Sequence, residues 1–304
     1  MEHLEENMKT FKRLIKKLIN RALISVGIDK KFLIKIIPKT SIDFLVIPLN
    51  LHCNLNCAYC NVFCPLISEE EYYEINHFDR DLKRLAEITK SEIKEIRLSG
   101  GELLLNKDIN KYMVIVRKYF PKSLLCITTN GTLLLKMNED FWNTCRDKKI
   151  KIIISKYPIK LDYENIIKKT NEYGIVLGYS YDDILKKDKN VYTMQISPLN
   201  FNGNEDERKN FLNCPKSGGA CNCLYNGKIY PCSLPATIHI FNKYFNKSIP
   251  VSERDALDIN NVKDIKEISE FLAKPIPFCK YCDIDRGSGG YKWKVSEKNI
   301  KEWT

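Results

Sequence analysis

The 304-residue sequence lacks any uninterrupted apolar run of about 18 residues, the length that a membrane-spanning helix requires. Its first residues, MEHLEENMKT, also lack the basic start, apolar core and small-residue cleavage site of a secretory signal. No repeat of fixed period runs along the chain. The lack of a membrane-spanning run and of a secretory signal predicts a cytoplasmic protein. In a reducing compartment its cysteines are better explained by metal binding or catalysis than by disulfides.

The bulk composition predicts a folded globular protein. Apolar residues make up 44% of the chain and aromatic residues 11%, and the length suffices for one barrel-sized domain with an appendage. The formal net charge of +11 comes from 49 basic and 38 acidic side chains. Such an excess suits nucleic acid, an anionic membrane surface or a phosphorylated substrate, and it equally suits a solvated face. Charge alone selects none of these.

Strand-like and helical patterns alternate between Phe44 and Pro198, which predicts a parallel sheet built from strand–helix–strand units. Six strands are too few to close an eight-stranded barrel, so we expect an α/β fold with an open, partial (β/α)6 barrel of the TIM type. The expected strands are 44–51, 95–98, 124–128, 150–155, 175–179 and 192–197, and the helices between them are 77–89, 108–119, 138–148 and 162–173.

The segment before this alternation has a different pattern. Apolar residues recur at three- and four-residue spacing between Met8 and Val26, with lysines and arginines between them. Residues 1–42 are therefore expected to contain a basic amphipathic helix. This helix could pack on the barrel, bind a partner, or contact an anionic membrane through residues 8–26, which would put the protein at the inner face of the membrane.

The twelve cysteines form an early and a late group, with only Cys126 and Cys145 apart from both. Cys126 lies in an apolar run, which is typical of a small core side chain. Three cysteines of the early group follow the first strand within the sequence CNLNCAYC, and these thiols could bind zinc with His52 or Cys64 as a fourth ligand. The early group is Cys53, Cys57, Cys60 and Cys64; the late group is Cys214, Cys221, Cys223, Cys232, Cys279 and Cys282.

CNLNCAYC resembles the signature of the radical S-adenosylmethionine (SAM) superfamily, and the similarity extends from about residue 43 to residue 197. In that family three thiolates bind a [4Fe–4S] cluster and the fourth iron binds SAM. The resemblance implies that Cys53, Cys57 and Cys60 are the metal ligands. An electron entering the cluster, from a flavodoxin- or ferredoxin-type donor, would cleave SAM and yield a radical that removes hydrogen from a substrate.

Other strand ends resemble SAM contacts of the same family. Gly-Gly-Glu after the second strand corresponds to the motif that meets the methionine amino group, although Leu103 stands where many relatives have proline. Strand-end capping is the alternative explanation for the remaining contacts. The implied SAM-binding residues are Tyr59, Ser99, Gly100, Gly101, Glu102, Thr129, Asn130, Ser155 and Lys156.

The region after residue 198 resembles the twitch or SPASM-like tail of the family, a small iron–sulfur domain. We expect a partial barrel over 43–198 and an auxiliary-cluster domain over 199–304 that ends in a C-terminal helix. The surplus thiols Cys221, Cys223 and Cys64 are candidate hydrogen donors, with spare or core thiols as the alternative. The implied ligands of one auxiliary [4Fe–4S] cluster are Cys214, Cys232, Cys279 and Cys282, and zinc is the alternative for the same four thiolates.

The resemblance implies an enzyme that oxidises or epimerises a small molecule. We expect a sugar, nucleotide-sugar or cyclitol, phosphorylated or lipid-linked, because the chain also resembles uncharacterised family members associated with bacterial surface polysaccharides. Peptide or protein modification is the second hypothesis. A zinc protein that binds nucleic acid is the third, and the sequence has no recognition-helix motif to favour it. Polar or aromatic residues near strand ends or in the tail, namely Tyr157, Tyr179, Gln195 and His239, are candidates to face the substrate.

Overall fold

A computed structural model describes residues 42–180, 193–194, 197–217, 219, 221–287 and 291–304. The basic helix predicted over residues 8–26 lies outside these residues, and so does Gln195. Within the described part of the chain, no helix is both long enough and apolar enough to cross a membrane.

The first half of the chain forms parallel strands with helical crossovers, as predicted. Each of β1 to β4 pairs in parallel with the next strand in sequence. The sheet does not close, so the expected open α/β barrel is confirmed. The elements of this half are β1 (Ile42–Asn50), α1 (Ile75–Thr89), β2 (Ile93–Gly100), α2 (Ile109–Tyr119), β3 (Leu124–Thr129), α3 (Glu139–Asp147), β4 (Ile150–Ser155), α4 (Tyr163–Glu172) and β5 (Leu177–Ser180).

The two faces of this sheet differ because successive strand residues point to opposite sides. One face packs against the helices and is completely buried, as at Leu45 and Ile96. The helices present matching apolar residues, among them Phe78 and Leu82 of α1, which the Glu74 carboxylate caps by accepting hydrogen bonds from Asn76 N and His77 N. The opposite face lines the concave inside of the partial barrel.

The second half of the chain adds strands to the same sheet. Strand β7 pairs in parallel with β1, and β8 and β9 follow antiparallel, so the strand order is β5-β4-β3-β2-β1-β7-β8-β9. Nothing in the local pattern of the sequence indicated that β1 would have this second neighbour. The elements are β6 (Thr193–Met194), α5 (Glu207–Asn213), β7 (Asn222–Tyr225), β8 (Lys228–Tyr230), α6 (Ser233–Phe245), β9 (Leu257–Asp258), α7 (Ile265–Leu272), α8 (Ile284–Gly287) and β10 (Tyr291–Lys292).

Two expectations about the chain after β5 need correction. The sixth strand, expected over 192–197, is described only at Thr193–Met194, where it pairs antiparallel with β10 in a separate sheet. The expected C-terminal helix is a single 3-10 turn at Ile300–Glu302 among the described residues. Before this turn, Lys294 and Ser296 bond through their backbones to the early cysteine loop rather than to a helical turn. The division at residue 198 stays a prediction.

Candidate functional site

The early cysteines lie on the loop that leaves the carboxyl end of β1. Cys57 is buried, and Cys53 and Cys60 are partly buried. The Cys53 Sγ accepts a hydrogen bond from Leu55 N at 3.4 Å, and the Cys57 Sγ accepts one from Trp293 Nε1 at 3.1 Å. The loop therefore holds three thiols within one another's electrostatic reach.

The thiols of this loop are poorly suited to ionise unless a cation neutralises them. Burial, with the charges of neighbouring thiols, raises the pKa of Cys53 to about 12 and that of Cys57 to about 11. The Cys60 thiol has its pKa lowered to about 7, chiefly because Cys64 donates a hydrogen bond to it. Iron ions held between the sulfurs would offset both the burial and the mutual repulsion, so the donor set fits an iron–sulfur cluster.

The buried Cys64 lies directly beside Cys60, at the start of a 3-10 turn over Cys64–Leu66. Its pKa is raised well above the ordinary range because it donates to Cys60 and is buried. The position of Cys64 next to the three-thiol set is compatible with a hydrogen donor and also with a spare or core thiol.

The glycine pair packs against the start of the cysteine loop. Gly101 N donates to Asn50 O at 2.7 Å, and Glu102 N donates to His52 O at 3.0 Å. A Cβ on either glycine would lie well inside 3.0 Å of a backbone carbonyl, of Asn50 for Gly100 and of His52 for Gly101. The absence of side chains here lets two backbone segments touch. Ser99 lies one residue earlier, opposite Pro48 of β1.

Glu102 is completely buried, and its carboxylate accepts three hydrogen bonds from this chain. The donors are Thr129 Oγ1 at 2.6 Å, Asn130 N at 2.7 Å and Leu104 N at 3.0 Å. Burial nevertheless raises its pKa, because the donors offset only part of the desolvation. A carboxylate can accept about four hydrogen bonds, so a contact with the SAM ammonium would use the remaining lone pair. The internal role of Glu102 was not foreseen.

The remaining SAM-contact candidates follow β3 and β4 or flank the cysteines. Asn130 Nδ2 donates to Asn54 Oδ1 at 2.8 Å, which joins the end of β3 to the cysteine loop. Tyr59 has a positive φ of 62°, and its ring stacks on Tyr291 with centroids 4.6 Å apart. Ser155 is buried at the end of β4, and the ammonium of Lys156 lies 4.1 Å from the centroid of the Tyr179 ring.

The four tail cysteines chosen from the sequence lie within electrostatic range of one another. Cys214 follows α5, Cys232 precedes α6, and Cys279 and Cys282 flank the end of a 3-10 turn. Burial raises the pKa of each of the last three, and their mutual charges add to the effect. As in the early loop, cations between the sulfurs would relieve this cost. Among the described residues, no three Cys, His, Asp or Glu side chains converge on a single metal ion.

The two surplus tail thiols have different surroundings. Cys223 is completely buried in β7 beside β1, and burial raises its pKa well above the ordinary range, which favours the core-thiol alternative. Cys221 is partly buried, and the charges of Lys216, Cys214 and Arg97 act on it. Cys221 thus lies within electrostatic range of both Cys214 and Arg97.

That concave face carries charged groups which the sequence analysis missed. Arg97, Cys126 and Lys151 are neighbours across β2, β3 and β4. Arg97 Nη2 binds the Glu95 carboxylate, with both side chains about a quarter exposed. Cys126 is buried, as expected, but beside these charges, and burial with the Glu95 charge raises its pKa to about 11. Glu95 and Arg97, at alternate positions of β2, were the sequence signal that this face of the sheet is charged.

The C-terminal segment is the second missed element. Ala58 N donates to Lys294 O at 2.9 Å, and Ser296 N donates to Asn56 O at 2.7 Å. Trp303 Nε1 donates to Cys60 O at 2.9 Å. These bonds cover the cysteine loop with residues that lie more than 230 positions later in the chain. Only the tryptophan content of the tail could have drawn attention to it.

Comparison with known proteins gives a consistent picture. Residues 47–176 match the family described as the Radical SAM superfamily. GTP 3',8-cyclase of Helicobacter pylori is 32% identical over 102 residues, which are 34% of this chain and 32% of that protein. The matched region thus spans about a third of that relative. GTP 3',8-cyclase of Clostridium botulinum is 24% identical over 267 residues, covering 85% of this chain and 72% of that protein.

Two solved structures with bound AdoMet are similar to this chain at low identity. BtrN in complex with AdoMet and 2-DOIA has a TM-score of 0.47 and 16% identity, covering 80% of this chain and 93% of that one. Native anSMEcpe with bound AdoMet has a TM-score of 0.46 and 15% identity, covering 86% of this chain and 95% of that one.

Proposed function

Because residues 47–176 form a radical SAM domain, which binds a [4Fe–4S] cluster and SAM, we propose that this enzyme removes a hydrogen atom from a C–H bond of a sugar-like small molecule. The outcome would be oxidation or epimerisation of a sugar, nucleotide-sugar or cyclitol. The observation that carries the proposal is the contact of the three-thiol loop with the Gly-Gly-Glu segment at the carboxyl ends of adjacent parallel strands. Ligands bind at that edge in sheets of this type.

Cys53, Cys57 and Cys60 would hold the cluster. When bound, the cluster and SAM together supply the reductive cleavage that produces a hydrogen-abstracting radical, and the chain supplies binding, orientation and exclusion of water. Glu102 holds the ends of β2 and β3 together through its three donors, and Asn130 joins them to the cysteine loop. These bonds support a rigid site, which hydrogen abstraction from one chosen carbon requires.

The concave face supports an anionic, hydroxyl-bearing substrate. Arg97 and Lys151 lie three and four residues before the carboxyl ends of β2 and β4, so their positive charge would act on a phosphate that reaches into the barrel from those ends. Relatives named GTP 3',8-cyclase act on a nucleotide, which also contains a sugar and phosphates. We therefore place phosphorylated sugars and nucleotide-sugars first among the candidate substrates.

We further propose a twitch-like tail domain after residue 198, with an auxiliary [4Fe–4S] cluster on the four tail cysteines that accepts the second electron of an oxidation. Zinc on the same thiolates is the alternative, and it would favour a redox-neutral outcome. In an epimerisation Cys221, which lies within electrostatic range of Cys214 and Arg97, would return the hydrogen atom. A flavodoxin- or ferredoxin-type protein would supply the electron for SAM cleavage.

Metal analysis of protein prepared without oxygen is the first test. Two clusters predict about eight irons per chain with matching acid-labile sulfide, and one cluster with zinc predicts about four irons. Cys53→Ala should lose the SAM-cleaving activity and about half of the iron of a two-cluster protein. Cys145→Ala is the matched control, because Cys145 is buried in α3 outside both cysteine groups. Zinc without sulfide in the reconstituted wild type would overturn the proposal.

The substrate test measures 5'-deoxyadenosine formation with a chemical reductant. Sugar phosphates and nucleotide-sugars should stimulate it above the substrate-free rate, and a substrate deuterated at the target carbon should transfer that deuterium to 5'-deoxyadenosine. Stimulation by short peptides alone would replace the sugar hypothesis with the peptide one. A product that carries one deuterium from deuterated water would support epimerisation with a cysteine donor, and its absence would favour oxidation.

A further inference from the structure

The C-terminal segment 291–303 forms a strap across the early cysteine loop. Its two backbone bonds to Asn56 and Ala58 form an antiparallel bridge between Val295 and Cys57. Tyr291 at its start stacks on Tyr59. The strap thus binds the loop along its length, from residue 56 to residue 60, and fixes the side chains that it carries there.

The three tryptophans of the chain offer an internal comparison, because two of them donate their indole N–H to backbone carbonyl oxygens and the third donates to a sulfur. Trp142, within α3, donates to Met137 O at 3.2 Å. Trp303 donates to Cys60 O at 2.9 Å. Trp293 donates to a sulfur, the Cys57 Sγ, at 3.1 Å. Of the two tryptophans in the strap, Trp293 alone therefore acts on an atom that would bind iron.

We propose that Trp293 is a positioning residue that orients the Cys57 thiolate and raises the reduction potential of the SAM-binding cluster. The inference rests on the proposed function, since it requires a cluster on Cys57. An N–H bond to a ligating sulfur withdraws negative charge from it, and this stabilises the reduced cluster, which carries one more electron.

The surroundings strengthen this bond. Cys57 is 5% exposed, and a hydrogen bond in such a low-dielectric setting is stronger than one in water. The residues on either side of Trp293 are fixed by backbone bonds, because Lys294 O accepts from Ala58 N and β10, directly before Trp293, pairs with β6. The centroid of the Tyr157 ring lies 6.4 Å from that of the Trp293 ring. The indole therefore need not be ordered when the cluster binds, so little entropy opposes its contact with the sulfur.

The test compares Trp293→Phe with Trp303→Phe as reconstituted holoproteins. The midpoint potential is followed by electron paramagnetic resonance in a redox titration, and the SAM-binding cluster is recognised by the change in its signal when SAM is added. Trp293→Phe should shift that midpoint to more negative values at unchanged iron and sulfide content. Trp303→Phe should leave it in place, because its donor meets a carbonyl oxygen. An unshifted potential in a fully loaded Trp293→Phe protein would overturn the proposal.

A second measurement on the wild type guards against a variant that fails to load. Protein labelled with 15N in its tryptophan rings, once reduced, should show a weak 15N coupling to the cluster by electron–nuclear double resonance. The coupling should persist in Trp303→Phe. A wild-type cluster without it would overturn this inference alone, whereas a wild type that forms no [4Fe–4S] cluster would overturn the proposed function and with it the need for a Trp293 role.

Discussion

Replacement of Gly101 by alanine should destabilise the protein and weaken cluster binding, because the new Cβ has no space. It would lie well inside 3.0 Å of the His52 carbonyl carbon and oxygen, and 3.1 Å from His52 N. All three are backbone atoms, so no side-chain rotation can relieve the contact. The segments must separate, although Gly101 N and Glu102 N hold them together with bonds of 2.7 and 3.0 Å.

The magnitude follows from these two effects. Overpacking costs about 1–3 kcal/mol, and each disrupted backbone hydrogen bond costs about 1 kcal/mol. Together they predict a loss of about 3–5 kcal/mol in the free energy of unfolding. Gly174→Ala is the matched control, since Gly174 has a φ of +64° and nothing lies within 4 Å of the added Cβ. Its cost is conformational alone, about 1–2 kcal/mol.

The assay is urea unfolding of the metal-free, reduced proteins, followed by circular dichroism, so that cluster binding does not contribute to the measured stability. Iron per chain after reconstitution is the second readout. It should fall in Gly101→Ala, because His52 precedes the ligand candidate Cys53, and it should hold in Gly174→Ala. If Gly101→Ala costs no more than Gly174→Ala, the steric argument for the glycine pair is refuted.

Two further substitutions test buried and surface hydrogen bonds. Tyr73→Phe removes the donor to the buried Asp81 carboxylate, at 2.7 Å, and the acceptor of Gly227 N. The substitution should lower the free energy of unfolding by about 1–3 kcal/mol, measured with urea. The control Tyr119→Phe should lower it by at most about 1 kcal/mol, because the Tyr119 hydroxyl donates to Asp79 in a more exposed setting. Equal losses in the two variants would contradict this reasoning. Glu71 has its pKa lowered below 4.5, chiefly by the hydrogen bond from His239. The ionised Glu71 carboxylate therefore adds at most about 1 kcal/mol to the free energy of unfolding at this partly exposed site. This stabilisation is present above the unfolded-state pKa and is lost as the pH falls through the folded-state pKa. The stability difference between wild type and Glu71→Gln should shrink as the pH falls below 4.5, and a difference independent of pH would argue against the ion pair.

Local sequence pattern predicted the elements of the first half closely. The helix expected over residues 108–119 is Ile109–Tyr119, and the strand expected over 150–155 is Ile150–Ser155. These elements depend on apolar period and on the polar residues at their ends, which are properties of neighbouring residues. The same reasoning assigned Cys126 to an apolar core, because an apolar run does not reveal which face of the sheet each residue meets. The structure surrounds this buried thiol with Glu95, Arg97 and Lys151.

By itself the sequence determined the chemistry of the cysteine loop: three thiols within eight residues, directly after a buried strand. Only the tertiary structure decided which groups touch that loop. It gave β1 a second neighbour in β7, gave the Glu102 carboxylate two donors from the end of β3, and set the Trp293 indole on the Cys57 sulfur. The last contact joins residues 236 positions apart. Short-range spacing encodes which residues share a loop or a face, whereas such distant pairs meet only because the whole topology brings their elements together.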